Sequence, residues 1–202
     1  MKTQPDPTLC GLVLAGGRST RMGHDKAALV HPDGRTLVRR CHDLLVEAGC
    51  DRAVLSLRHD QALPSGFGDG FMPDVIRDPE GGSEGPLVGI LSAMQRFPDA
   101  DWLVLACDLP RLDPATLNHL LSSRIAGEMF LSYRSEFDGL PEPLCALYAA
   151  GALAVLQQAQ VDGIRCPRKV LIRHACRLLE PVSPRALDNA NTPEDWKSAH
   201  QP

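Results

Sequence analysis

Aromatic side chains make up only 4% of this 202-residue chain. Aliphatic residues must therefore fill most of any core, and the stacking platforms that grip single-stranded nucleic acid are scarce. A basic excess is also missing. Lys and Arg number 21 against 25 Asp and Glu, a formal net charge of −4, whereas a duplex-binding protein carries a basic footprint. No nucleic-acid partner is expected, although a local cluster of cations can still serve a small anionic ligand. The seven cysteines, Cys10, Cys41, Cys50, Cys107, Cys145, Cys166 and Cys176, are scattered and form no Cys-x-x-Cys pair. That argues against a zinc site or a disulfide framework and for reduced thiols, with Cys10, Cys107 and Cys145 acting as small core residues. The seven histidines are equally scattered and suggest no ligand set. No apolar run approaches the roughly 20 residues of a membrane helix. The opening "MKTQPDPT" is polar and precedes only a short apolar run, unlike a secretory leader. The expectation is a cytoplasmic protein without a membrane partner.

Hydrophobic residues at 44% and charged residues at 23% are ordinary globular values. The length suits one domain over residues 1–202. The runs "LCGLVLA" (9–15), "RAVLSL" (52–57) and "DWLVLACD" (101–108) are short and nearly continuous, as in strands buried on both faces of a parallel sheet. Helical patterns separate them over Thr36–Ala48, Pro86–Phe97 and Asp113–Ser123, the last with Asp113 as cap and Pro114 in the first turn. Strand–helix alternation predicts a three-layer α/β/α sandwich with a mostly parallel sheet. "LPSGFGDG" (63–70) reads as a surface excursion. Beyond residue 127, "MFLSYR" and "PLCALY" suggest strands and Ala149–Gln160 a helix. The closing "NANTPEDWKSAH" suggests a turn and short helix capped by Thr192.

The stretch "VLAGGRSTRMGHDKAAL" follows the first strand and opens towards a helix. Glycine at such a turn lets backbone N–H groups converge on an anion without obstruction by side chains. Arg18, Arg21 and Lys26 add fixed positive charge. A tight turn with solvated cations is the alternative; three cations and three glycines within so few residues favour phosphate binding. The Walker pattern fails because His24 follows Gly23, and the dinucleotide fingerprint fails because Arg18 and Ser19 follow Gly17.

What the stretch does match is a longer signature. "LAGGRSTRMGHDK", Leu14 to Lys26, resembles the opening block of the molybdenum cofactor guanylyltransferases. "VIRDPEGGSEGPLVGILSAM", "VLACDLPRL" and "NANTPEDW" resemble that family's later blocks, so the likeness runs from about Leu12 to Trp196. It implies a Rossmann-like nucleotidyltransferase fold and transfer of GMP from GTP to the terminal phosphate of molybdopterin or molybdenum-molybdopterin, with release of pyrophosphate. It also implies transient contact with molybdoenzymes or other cofactor-biosynthesis proteins.

Residue by residue, the resemblance puts the triphosphate on Leu14, Ala15, Gly16 and Gly17, with Arg21 and Lys26 on its oxygens. Asp78 belongs to the nucleoside side, and Gly85 and Pro86 shape the base pocket. Asn189 and Asn191 face the pterin or the metal. Turn or capping roles compete for Asp78 and for both asparagines. Asp108 ends an apolar strand at the carboxyl edge of the sheet, where open α/β sheets bind their ligands. A carboxylate there can hold Mg²⁺ beside phosphate, or simply stabilise a turn before Pro110. The basic run "RCPRKVLIR" offers Arg168 and Lys169 to the pterin phosphate, or forms a solvated helix face. One departure stands out: "VLSLRHD" lacks the family's asparagine at the end of the second strand, leaving Ser56 or Arg58 to substitute.

Gly16 and Asp25 favour the guanylyl branch over molybdenum cofactor cytidylyltransferases and sugar-phosphate nucleotidyltransferases, which tend to read Ala-Ala-Gly in the loop. A nucleotide-binding regulatory protein without turnover is the non-enzyme alternative. Retention of Lys26 and Asp108 argues against it.

Overall fold

The computed structural model describes residues 8–17, 26–68, 70–81, 85–183 and 185–199. Seven strands form one sheet in the order β3-β2-β1-β4-β6-β5-β7. They are β1 (Leu9–Leu14), β2 (Arg52–Leu57), β3 (Asp74–Arg77), β4 (Asp101–Ala106), β5 (Phe130–Arg134), β6 (Pro141–Tyr148) and β7 (Arg177–Leu179). β6 runs antiparallel to both of its neighbours, and every other pairing is parallel.

The near-continuous apolar runs have a simple cause. Successive side chains of a strand point to opposite faces, and here both faces are covered. Val13, Leu55 and Leu105 pack under α1 (Leu37–Glu47) and α3 (Pro114–Ser122). Their neighbours Leu12, Val54 and Val104 pack under α2 (Pro86–Arg96), α4 (Leu153–Val161) and α5 (Pro167–Arg173). The expected three layers with a mostly parallel sheet are present. Among the described residues no helix is long and apolar enough to cross a membrane.

The helix starts follow their capping chemistry. Thr36 Oγ1 accepts from the Arg39 N–H at 3.4 Å ahead of α1. Asp113 Oδ1 accepts from both the N–H and the hydroxyl of Thr116 at 2.7 Å, fixing α3, while Oδ2 takes the Ser183 hydroxyl at 2.7 Å. α2 begins at Gly85, whose φ of 125° lies where glycine is favoured, followed by Pro86 in the first turn. A short α6 (Pro193–Ala199) ends the described chain, with Thr192 Oγ1 accepting from the Asp195 N–H at 3.1 Å.

Two features differ from the sequence reading. The helix expected over Ala149–Gln160 opens as a 3-10 turn, Ala150–Ala152, before α4. The three-residue β7 carries too short a pattern to be read alone. Within the surface stretch after residue 62, the Thr36 hydroxyl donates to Ser65 O at 3.2 Å, and Phe67 stacks with Phe71 beside His42 on α1.

β1 lies between β2 and β4; the crossover from β1 to β2 runs through α1 on one face of the sheet, and that from β3 to β4 runs through α2 on the other. A cleft therefore opens beyond the carboxyl ends of β1 and β4, the switch point of an open α/β sheet. Asp113 ties α3 to the segment that returns towards this cleft. Asp113→Ala is expected to lower stability by roughly 1–2 kcal/mol, read as a lower urea midpoint at unchanged slope; an unmoved midpoint would show that the cap contributes nothing.

Candidate active site

A cavity of about 420 Å³ occupies the switch point. Leu14, Ala15, Gly16 and Gly17 line it from the end of β1, Asp78 from the end of β3, and Asp108 from the turn after β4. Gly85 and Pro86 bring in the amino end of α2, and Lys26 reaches it from a 3-10 turn, Lys26–Ala28. Residues that the sequence spreads over 95 positions, from Leu14 to Asp108, thus share one wall. Arg21 lies outside the described residues.

Lys26 is held on two sides. Its ammonium donates to Asp108 Oδ2 at 3.4 Å and to Asn191 Oδ1 at 2.6 Å. The closing segment is fixed there by its own backbone: Ala190 N–H donates to Asp108 O at 3.0 Å, and Asp195 Oδ2 accepts from the N–H groups of Asn191 and Thr192 at 2.9 Å. Those backbone donors, Asn191 first, hold the Asp195 carboxyl below its usual range. The second oxygen of Asp108, Oδ1, is buried with no hydrogen-bond partner among the described residues.

Asp78 is the second carboxylate of the cavity. Its N–H donates to Leu57 O at 2.9 Å, and its Oδ1 is also buried without a partner among the described residues. Burial raises its carboxyl above the usual range, and the Arg58 charge opposes that shift. The cavity floor is tightly built. A Cβ on Gly89 would come within 2.3 Å of Ser56 Oγ and 2.8 Å of Leu14 Cδ2, so only glycine lets the first turns of α2 approach the sheet so closely. Ser56 and Arg58 both line the cavity at the place where the sequence lacks the family's asparagine.

Arg58, Gln61 and Arg77 carry a role that the sequence did not reveal. Arg58 Nη1 donates to Gly16 O at 2.7 Å and Gly17 O at 3.3 Å, and Gln61 Nε2 donates to Ala15 O at 2.9 Å. Arg77 Nη1 in turn reaches the carbonyls of Arg58, His59 and Gln61 at 3.0, 3.3 and 2.6 Å. The one available signal was a polar trio flanking strand ends, too common to single out.

The residues expected on the pterin side lie elsewhere. A second cleft of about 500 Å³ is lined by Arg168, Asn189 and Asn191, with Phe137 and Arg185. Arg168 is already paired there, with Asp138 at 2.8 Å and Glu142 at 3.2 Å. Lys169 is exposed on α5 and lines neither cleft. A smaller hollow of about 110 Å³ lies beside both, sharing Leu144 with the first and Arg168 and Asn189 with the second.

The donor set suits a hard cation held mainly by substrate. Among the described residues no group of three or more His, Cys, Asp or Glu side chains is placed to hold a metal ion. Mg²⁺, however, is commonly bound by one or two carboxylates together with phosphate oxygens and water. The unpartnered Asp108 Oδ1 offers one such ligand at the cavity wall.

Asp78 also makes a stability argument testable. Its carboxyl is raised in the fold, so the stability attached to it is full below the unfolded value, near pH 4, and is lost as pH rises through the folded value. At neutral pH its ionised form works against folding. Asp78→Asn is expected to raise the melting temperature of the ligand-free protein at about pH 7 by a few degrees, the gain shrinking towards about pH 4. A variant no more stable than the parent at neutral pH would refute the burial argument.

The chain is similar to known proteins over most of its length. A model of the MobA-like NTP transferase domain matches residues 11–187. A molybdenum cofactor guanylyltransferase of Pseudomonas putida is 34% identical over 184 residues, 91% of this chain and 93% of that one. A molybdenum cofactor biosynthesis bifunctional protein of Synechocystis is 35% identical over 188 residues, and the chain spans 52% of its length. The crystal structure of molybdopterin-guanine dinucleotide biosynthesis protein A from Archaeoglobus fulgidus is similar at a TM-score of 0.70 and 27% identity, over 94% of this chain and 96% of that one. A family match of this extent, on a chain whose glycine turn and strand-end carboxylates meet in one cavity, shows that the protein belongs to the MobA-like NTP transferases.

Proposed function

We propose that this enzyme transfers GMP from GTP to the terminal phosphate of molybdopterin, or of its molybdenum-loaded form. An oxygen of the acceptor phosphate forms a bond to the α-phosphorus of GTP. The bond from that phosphorus to the bridging oxygen breaks, and pyrophosphate leaves with the electron pair. The observation that carries the reading is the meeting of the Leu14–Gly17 turn, Lys26 and Asp108 in one cavity, with Asn191 joining it to a second cleft.

The obstacle is the approach of two anions, and this chain's residues act on it by position and charge. The Gly16 and Gly17 N–H groups receive no backbone carbonyl partner within the described residues, which leaves them for the triphosphate. Lys26, only 13% exposed, holds a compact positive charge in a fixed place, where it is weakly screened. Asp78 and the amino end of α2 border the nucleoside. Arg21 is assigned to the phosphates with Lys26. Asp108 Oδ1 would hold Mg²⁺, which when bound supplies charge neutralisation at the phosphate oxygens. Asn191 fixes the Lys26 ammonium from the acceptor side, and Asn189 and Arg168 border the cleft assigned to the pterin phosphate. Lys169 remains a distant contributor of positive potential. The second cleft and the adjacent hollow give the acceptor a route to the α-phosphorus. GTP and the pterin are the substrates; the protein is placed in the cytoplasm, with neither nucleic acid nor membrane as partner and with cofactor-biosynthesis proteins or molybdoenzymes as transient ones.

The test is incorporation of labelled nucleotide into molybdopterin with Mg²⁺, each of the four nucleoside triphosphates being offered in turn. GTP is expected to be used and pyrophosphate released; preferential use of CTP would move the enzyme to cytidylyl transfer. GTP binding without pyrophosphate release, under any acceptor, would make it a nucleotide-binding regulator. Asp108→Ala is expected to fold and to lose about a hundredfold or more in turnover, the typical cost of removing one well-aimed stabilising group. A wild-type rate in that variant would remove Asp108 from the mechanism.

A further inference from the structure

The three successive carbonyls of Ala15, Gly16 and Gly17 all accept hydrogen bonds from side chains at the end of β2. A trans peptide is planar, with its N–H opposite its C=O. A donor that fixes the Ala15 carbonyl therefore also fixes the direction of the Gly16 N–H, and one on the Gly16 carbonyl fixes the Gly17 N–H. Among the described residues, a Cβ at Gly17 would meet nothing within 4 Å, and one at Gly16 only ordinary contacts. Without these donors, glycine's conformational freedom would let the two planes rotate.

The donors are themselves held. Gln61 is 8% exposed, and its Oε1 accepts from the Arg58 N–H at 3.2 Å while its Nε2 serves Ala15. Arg77, the last residue of β3, collects the carbonyls of Arg58, His59 and Gln61 on Nη1. It is exposed, and neither it nor Gln61 lines the cavity. The Arg58 guanidinium is engaged by the carbonyls of Gly16 and Gly17, so this cation supports the loop backbone.

We propose that Arg77, Gln61 and Arg58 form a two-tier clamp that orients the Gly16 and Gly17 N–H groups for the triphosphate, making Arg77 and Gln61 positioning residues for GTP that never touch it. The proposal deepens the guanylyl-transfer reading and rests on it. Its signature is a loss confined to ligands that carry the β- and γ-phosphates.

The experiment is calorimetric titration of GTP and of GMP, with Mg²⁺, into the wild type, Arg77→Met and Gln61→Glu, alongside melting curves. Arg77→Met keeps an apolar stem at an exposed position, and Gln61→Glu replaces the donor to Ala15 O with an acceptor. Each is expected to raise the Kd for GTP about tenfold, the size of one charge-assisted hydrogen bond, with the Kd for GMP changed less than about twofold. The wild-type to Arg77→Met ratio is expected to persist from about 0.15 to 0.5 M salt, and Arg77→Lys to recover part of the affinity. Disappearance of the ratio at high salt would make Arg77 a screened distant charge, and equal losses for GTP and GMP would make the trio a general support of the pocket; either result overturns the clamp. Wild-type GTP affinity in both Arg77→Met and Gln61→Glu would overturn it while leaving guanylyl transfer standing. A wild type that binds GTP no more tightly than GMP would sink both.

Discussion

Lys26 donates to Asp108 and to Asn191, residues 82 and 165 positions further along the chain. That ammonium pins the turn after the first strand to the fourth strand and to the closing segment. The arrangement depends on burial: at 13% exposure the charge is costly unless paired, and its two oxygen partners supply the pairing. Around it the Ala190–Asp108 backbone bond and the Asp195 turn hold the last segment against the sheet edge. The charge proposed to meet the phosphates and the closure of the fold are therefore one interaction.

The cavity also holds groups left wanting. Asp78 Oδ1 and Asp108 Oδ1 are both buried without partners among the described residues, against the general rule that buried polar atoms are satisfied. Both lie where the phosphates and nucleoside of a triphosphate and its metal are assigned, and an unsatisfied acceptor is available to a ligand at no cost of breaking an internal bond. The raised Asp78 carboxyl expresses the same compromise in protonation. Under the proposed function, stability is given up locally for a site completed by its ligand.

Much of this was legible from local chemistry. The main strand and helix ranges follow from apolar periodicity and from the caps Asp113 and Thr192, because those patterns act within one or two turns of chain. The glycine turn, Lys26, Asp78, Gly85 and Asp108 were legible because each belongs to a block of contiguous residues. β7, the 3-10 opening before α4 and the packing of the "LPSGFGDG" stretch on α1 were not. They are settled by neighbours distant in sequence, against weak local preferences.

The sequence by itself determined the layered α/β class, the glycine turn and the family resemblance, since these reside in short-range spacing and composition. Only the tertiary structure decided that Asn191 reaches Lys26 while Asn189 faces a second cleft, that Arg168 is already paired with carboxylates, and that Lys169 lines neither space. It alone decided that Arg58 and Gln61 grip the backbone of the glycine turn, with Arg77 holding the segment that carries them. The reason is physical: hydrogen bonds between segments depend on where the sheet order places each strand end, and that order is set by long-range packing that no local pattern encodes.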